Sequence, residues 1–370
     1  MTAHQLFTRC EESSLIPWLD ENADDLDSGG PAAGELLSKL ADSGVFRAGI
    51  PEYQGGSGSA FTEAVAAIAK VSERSLTAGF VSWGHRTFIE YLLTSPNKEL
   101  AEKWLPDLLS GRLAGATALS NAMKYLSGIE AIQIKLTQAD KAEGYSPFNA
   151  HGHLFWVTNL DPKGFLVAAI AEREDEKPPA IILLNSRAKG VIRSDNLKLA
   201  GLRGSATAAI EVKNAAIGEK DIIHPDATAF CPSIRPRFLG LQCGMSVGLA
   251  RASLNRVRER AESAKGGYLI PPLEALEAEL SEAYQTLVSG LESDQFARTP
   301  ALLFRVRIQL ADIVQRAANL ELEATGGFAY LLDQHTGFER RWREAAFIPV
   351  VTPSVSQLKG ELAKQARHTP

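Results

Sequence analysis

Two unbroken apolar stripes near the C-terminal end constrain this chain more than any other feature. Leu273, Leu276, Leu280, Tyr284, Leu287 and Leu291 step by three and four residues, and Leu303, Val306, Leu310, Ile313, Ala317, Leu320 and Ala324 do the same. Side chains at that spacing share one face of a helix, and so apolar a face must be buried against another element. With a third helical segment from about Phe238 to Ser263, the stripes predict an antiparallel bundle. A chain of 370 residues leaves room for other units before it.

Upstream the texture changes twice. From Gly115 to about Ile223, Ala131 to Leu136 and Thr207 to Val212 alternate with period two, while Phe165 to Ala171 and Ala180 to Leu184 are continuous apolar runs. These are strand signals. The first 113 residues return to helical spacing, interrupted by the Gly-rich turn Pro51 to Gly58. The expected class is therefore α+β. A helical domain spans 1–113, an antiparallel β-barrel or sandwich 114–226, and a four-helix bundle 227–370.

Charge and cysteine usage exclude several classes. A net charge of -5 offers no basic field for nucleic acid. Cys10, Cys231 and Cys243 form no CxxC pair, which suggests a reducing compartment. No signal-peptide core occurs within Met1 to Ser14, and no apolar run reaches the roughly 18 residues of a spanning helix. A cytoplasmic protein without membrane contact is the expectation. Gly244-Met245-Ser246-Val247-Gly248 satisfies G-x-S-x-G, but its surroundings are helical, and a nucleophile elbow needs a strand before the serine. Small residues that let helices approach closely explain it better. His151 and His153 lack an obvious third ligand, so a metal site is not expected.

Several segments, read in order, resemble the acyl-CoA dehydrogenase superfamily. They are Gly49 to Gly58, Lys103 to Gly111, Ala118-Leu119-Ser120-Asn121, Phe155-Trp156-Val157-Thr158-Asn159, Leu202-Arg203-Gly204-Ser205-Ala206-Thr207, Gly326 to Tyr330 and Glu339 to Ala345. The resemblance implies one FAD per chain, a homodimer or homotetramer, and a small-molecule substrate such as an acyl-CoA. It places Leu119, Ser120, Trp156 and Thr158 around the flavin ring and Gly326 and Gly327 at the dinucleotide. Hydroxyls and an indole suit the polar edge and the flat face of an isoalloxazine. A core aromatic beside a turn is the plainer reading of Trp156, and helix termination that of Gly326-Gly327.

Three departures from the family pattern bear on chemistry. The position of the catalytic glutamate falls on Thr352, whose hydroxyl cannot act as a base, and the alternative position falls close to Phe238. The arginine that reaches a neighbouring subunit's pyrophosphate falls near Lys265. The glutamine before the Gly-Gly pair is Glu323. The last two changes predict weaker dinucleotide binding, with FMN or loosely held reduced flavin in place of FAD. Three functions follow. The first is an acyl-CoA dehydrogenase-like oxidoreductase with a displaced base, for which Glu90, Asp333 and Glu339 are candidates. The second is a flavin-dependent monooxygenase supplied by a partner flavin reductase, in which His85 could serve as acid or base. The third is a binding protein without catalysis. For His85 the plain alternative is a helix histidine bonded to a carbonyl.

Overall fold

The computed structural model describes residues 14–139, 147–174, 177–262, 266–331 and 336–368. The helical first part comprises α1 (Leu15–Ser28), α2 (Leu36–Asp42), α3 (Phe61–Arg74), α4 (Leu76–Thr94) and α5 (Lys98–Leu109). Almost every residue of α4 is buried, because it lies between the sheet and the later helices. Its start is capped by Ser75, whose hydroxyl accepts the Ala78 amide.

One sheet follows. Its strands are β1 (Ala114–Thr117), β2 (Ile134–Gln138), β3 (Phe148–Val157), β4 (Phe165–Arg173), β5 (Ala180–Asn185), β6 (Val191–Arg193), β7 (Ala208–Ile217) and β8 (Ile222–His224). A short helix, α6 (Ser120–Leu126), connects β1 to the segment before β2. The order is β6-β7-β3-β2-β4-β5-β8, with β1 added beside β4. The expectation of a purely antiparallel sheet is corrected here, because β4 runs parallel to both β1 and β2. The physical reason is visible in the apolar run of β4. It is buried on both faces, as strands with parallel neighbours are.

The last part holds α7 (Ala227–Ala261), α8 (Ile270–Glu292), α9 (Gln295–Arg298), α10 (Pro300–Thr325), α11 (Phe338–Phe347) and α12 (Val355–His368). The two stripes become the buried faces of α8 and α10, which pack on each other and on α7, while α12 lies along α10. Helix α7 starts earlier than the sequence suggests, passing through Pro232 and Pro236. Asp226 caps it, accepting the amides of Thr228 at 2.7 Å and Ala229 at 3.2 Å. All-round burial of its middle, from Phe238 to Ala250, outweighs the lost proline hydrogen bonds near its start.

Gly244 and Gly248 sit inside α7 and not on an elbow. A Cβ at Gly244 would stand 2.7 Å from the Val65 carbonyl oxygen, and one at Gly248 would stand 2.1 Å from that of Ala69. These glycines let α7 lie directly on the backbone of α3. Among the described residues, no helix is long and apolar enough to cross a membrane.

Candidate active site between the sheet and the bundle

A cavity of about 750 Å³ opens where the sheet meets the helices. The sheet side contributes Thr117, Ser120, Asn121, Phe155, Trp156, Thr158 and Thr207. Phe80 and Trp83 of α4, Phe238 of α7, Phe347 of α11, and Val350, Val351 and Thr352 face it from the helical side. The helical wall is an aromatic stack. Phe347 meets Phe80 edge-on at 4.9 Å, Phe80 stacks on Trp83 at 5.6 Å, and Trp83 meets Phe238 edge-on at 5.3 Å. Trp83 also donates its indole N–H to the Phe238 carbonyl at 3.3 Å. Such pairs add roughly 0.5–1.5 kcal/mol each beyond burial and hold the wall rigid.

Trp156 reaches the cavity through a break in the sheet. The β3–β7 register shifts between Leu154 and Val157. In an unbroken strand Phe155 and Trp156 would point to opposite faces. Here both are exposed, at 56% and 69%, and both line the cavity. Trp156 takes φ 61°, which costs a non-glycine residue roughly 1–3 kcal/mol. Asn159, Leu202 and Ala206 also have positive φ. The two segments brace each other, since the Asn159 amide donates to Ser205 at 2.9 Å and the Leu160 amide to Ala206 at 3.1 Å. Four of the non-glycine residues with positive φ thus gather on the two segments 156–159 and 202–206, which brace this wall.

The polar groups of the wall are held in place. Thr158 and Thr207 share a hydroxyl hydrogen bond of 3.0 Å, and Ser205 bonds Thr207 at 2.8 Å. Asn121 donates to Glu130 and to the Ala131 carbonyl, both at 2.9 Å, and accepts the Gln133 amide at 3.1 Å. Lys124 pairs with the other Glu130 oxygen at 3.2 Å. Thr352 is fixed through its carbonyl, which accepts from Gln242 Nε2 at 3.0 Å. Gln242 in turn accepts from Arg307 Nε at 2.8 Å, and Arg307 Nη2 donates to the Ile348 carbonyl at 2.6 Å.

Of the residues singled out from sequence, Ser120, Trp156, Thr158 and Thr352 meet at this cavity, and Phe238 joins them. The others do not. Leu119 is fully buried and does not line the cavity, because the turn after β1 directs it into the core; its amide donates to the Thr117 hydroxyl at 3.3 Å. Gly326 and Gly327 are exposed at the end of α10, away from the cavity.

His85 is fully buried and cannot reach a ligand in the cavity. Its Nδ1 accepts the Gly115 amide at 3.0 Å, so Nε2 carries the proton and donates to the Leu108 carbonyl at 3.0 Å. Burial pushes its pKa down to about 3, which keeps the ring neutral. The histidine ties α4, α5 and β1 together.

The candidate bases fare no better. Glu90 is buried between Arg86 Nη1 at 2.5 Å and Arg237 Nη1 at 2.7 Å, outside the cavity lining. Glu339 does not line the cavity. Asp333, Lys265 and Cys10 lie outside the described residues, and Glu323 is exposed on α10. The sequence reading missed Gln242, Arg307, Asp27 and Arg343. The signal for Gln242 was present: a lone amide in the buried run Phe238 to Leu249 demands a hydrogen-bond partner.

The Acyl-CoA dehydrogenase, N-terminal domain family matches residues 16–112. Isovaleryl-CoA dehydrogenase from Pongo abelii is 27% identical over 195 residues, covering 51% of this chain and 44% of that protein. The chain thus matches less than half the length of that relative. Benzylmalonyl-CoA dehydrogenase from Aromatoleum aromaticum is 24% identical over 292 residues, 78% of this chain and 74% of that one. Among solved structures, glutaryl-coenzyme A dehydrogenase in its glutaryl-CoA complex superposes with a TM-score of 0.82 at 15% identity, covering 100% and 94% of the two chains.

The chain thus resembles acyl-CoA dehydrogenases in its N-terminal helical part, and it shares their fold over its whole length. The same fold is seen in KijD3 bound to FMN and a dTDP-linked amino keto sugar, at TM-score 0.81 and 16% identity over 100% and 94% of the chains. The cavity suits a flat ring system. A slot between an exposed indole and an aromatic wall matches a flat tricycle, and the Thr158, Thr207 and Ser120 hydroxyls offer partners for its polar edge. Thr352 and Phe238 both line the slot, and neither carries a carboxylate.

Proposed function

We propose that this protein is a flavin-dependent oxidoreductase whose chemistry does not begin with proton abstraction by a carboxylate, and that it works as a monooxygenase on a small substrate with an apolar reacting part. One observation carries the reading. Phe238 and Thr352, the two places where the superfamily's glutamate could stand, face the same cavity and carry no carboxylate. Among the described residues the carboxylate that lines it is Glu130, and it is occupied by Lys124 and Asn121.

In this reading Trp156 and Phe155 supply the flat face for a flavin, and Thr158, Thr207 and Ser120 bond its edge. When bound, the flavin supplies electrons for oxygen activation. The chain's residues do the rest. Phe80, Trp83, Phe238 and Phe347 bind the substrate by apolar contact and exclude water. The Arg307–Gln242–Thr352 chain fixes the loop that closes the substrate side. Thr352 Oγ1 can orient a substrate by hydrogen bonding but removes no carbon-bound proton. A partner reductase would provide reduced FMN or FAD. Exposed Phe328 and Tyr330 beside Gly326-Gly327 support a homo-oligomer.

The test compares two reactions of the flavin-loaded protein. Anaerobic addition of butyryl-CoA should leave the flavin oxidised, whereas chemically reduced flavin with oxygen and small aromatic substrates should yield oxygenated product. Anaerobic bleaching by the thioester would replace this reading with a dehydrogenase using a displaced base.

A further inference from the structure

Helix α11 carries three arginine or glutamate side chains, Arg340, Arg341 and Glu344, that are matched within the fold. Arg340 bonds Asp24 at 2.8 Å and both Glu344 oxygens at 3.1 Å. Arg341 takes Glu321 together with the Thr336 carbonyl at 2.8 Å. Arg343 differs. It lines the cavity, its side chain is 41% exposed, and among the described residues the partner it holds is Asp27, through Nη2 at 2.7 Å.

Asp27 is itself committed. It is buried, and its other oxygen accepts the Leu202 amide at 2.6 Å. Gly201 lets that backbone press against the pair, since a Cβ there would fall 2.9 Å from Asp27 Oδ1 and 3.6 Å from Arg343 Cβ. The guanidinium is thus clamped by one nitrogen, and the rest of its planar fork is left to the cavity. The rim segment adds two more cations. Lys198 is exposed, and exposed Arg203 lies along this rim, donating from Nε to the Leu199 carbonyl at 2.6 Å. The cations lining the cavity itself are Arg343 and Lys124, the latter already paired with Glu130, while the helical wall beyond is aromatic.

We infer that Arg343 is the anchor for an anionic group, a phosphate or a carboxylate, on the molecule that enters this cavity. A fork fixed by a buried carboxylate is already oriented, so it can grip an anion bidentately with little loss of side-chain freedom. The anion belongs either to the flavin, as its phosphate, or to the substrate; this assignment rests on the flavin reading of the cavity.

The experiment follows tryptophan fluorescence, to which Trp83 and Trp156 in the cavity wall contribute. FMN, riboflavin and inorganic pyrophosphate are titrated into the wild-type protein and Arg343→Met. If the flavin phosphate is the anion, FMN binds the wild type about tenfold or more tighter than riboflavin, and the variant loses that preference. If the substrate carries it, the two flavins bind alike, and pyrophosphate binds the flavin-loaded wild type but not the variant. An Arg343→Met protein that matches the wild type in both arms overturns the anchor. A protein that binds pyrophosphate through Arg343 but neither flavin keeps the anchor and removes the flavin reading.

Loss of folding is controlled by two further variants. Arg343→Lys keeps a cation beside Asp27 without the fork and should lose most of the preference. The double variant Asp27→Asn/Arg343→Met removes both charges together and should behave as Arg343→Met does. Full retention of anion binding in the folded double variant would also overturn the proposal.

Discussion

The side-chain amide of Gln242 donates to the backbone carbonyl of Thr352 across 3.0 Å, joining the middle of α7 to the loop after α11. That loop lines the cavity through Val350, Val351 and Thr352, and its position is set by a buried amide and, behind it, by the buried Arg307. Replacing Gln242 with leucine leaves the Arg307 Nε and the Thr352 carbonyl without this partner. Stability should fall by about 2–4 kcal/mol, read from urea unfolding. An unchanged midpoint would show that the loop does not depend on this bond.

Thr352→Glu places a carboxylate against Val351, Phe347 and Phe238 at the cavity. An apolar setting raises a carboxyl pKa toward the range useful for a base. The variant should gain anaerobic flavin bleaching with butyryl-CoA that the wild type lacks. A folded, flavin-loaded Thr352→Glu protein that leaves thioesters untouched would mean that position 352 does not face the reacting carbon.

Trp156→Gly separates strain from binding. Glycine accepts φ 61° without penalty, so stability should hold or rise by up to about 1 kcal/mol. Flavin affinity should fall at least about tenfold, because the stacking face is gone. A variant that loses stability but keeps its flavin would assign the indole to packing.

His85 gives a pH signature. Its folded pKa, near 3, lies below the ordinary value of 6.5, so the unfolded chain binds more protons between these limits. The histidine therefore stabilises the fold fully above about pH 6.5 and progressively less as pH falls toward 3. Glu344, raised by burial, acts in the opposite direction. The diagnostic is the difference between wild type and His85→Gln, which should show a shallower loss of stability over that window. No ionisation of His85 should appear in a pH–rate profile near neutrality.

Cys231 and Cys243 are buried, and burial pushes both thiols up to about 12. Neither should react with iodoacetamide in the native protein, and both should react after unfolding. Peptide mass spectrometry reads the outcome, and native labelling at either residue would show that α7 opens.

The sequence revealed what depends on period and little of what depends on register. The stripes of α8 and α10 were legible because three-and-four spacing has a single geometric meaning. The parallel pairing of β4 was not, since an apolar run reports burial on both faces without saying which neighbours cover them. Trp156 was expected at the cavity from its neighbours Thr158 and Asn159, yet the bulge that aims it exists only in the mismatch of β3 against β7. The side chain of Leu119 turns into the core, because adjacent residues of a turn point in different directions. Asp27 and Arg343 lie 316 positions apart, and no local pattern joins them.

Gly244 and Gly248 bring α7 onto the backbone of α3, while the same helix delivers Phe238 to the cavity and Gln242 to the loop. The N-terminal helices and the bundle therefore share a spine. A fragment ending near residue 113 would expose the whole of that seat to water, and heat should melt the intact protein in one step and not in instalments.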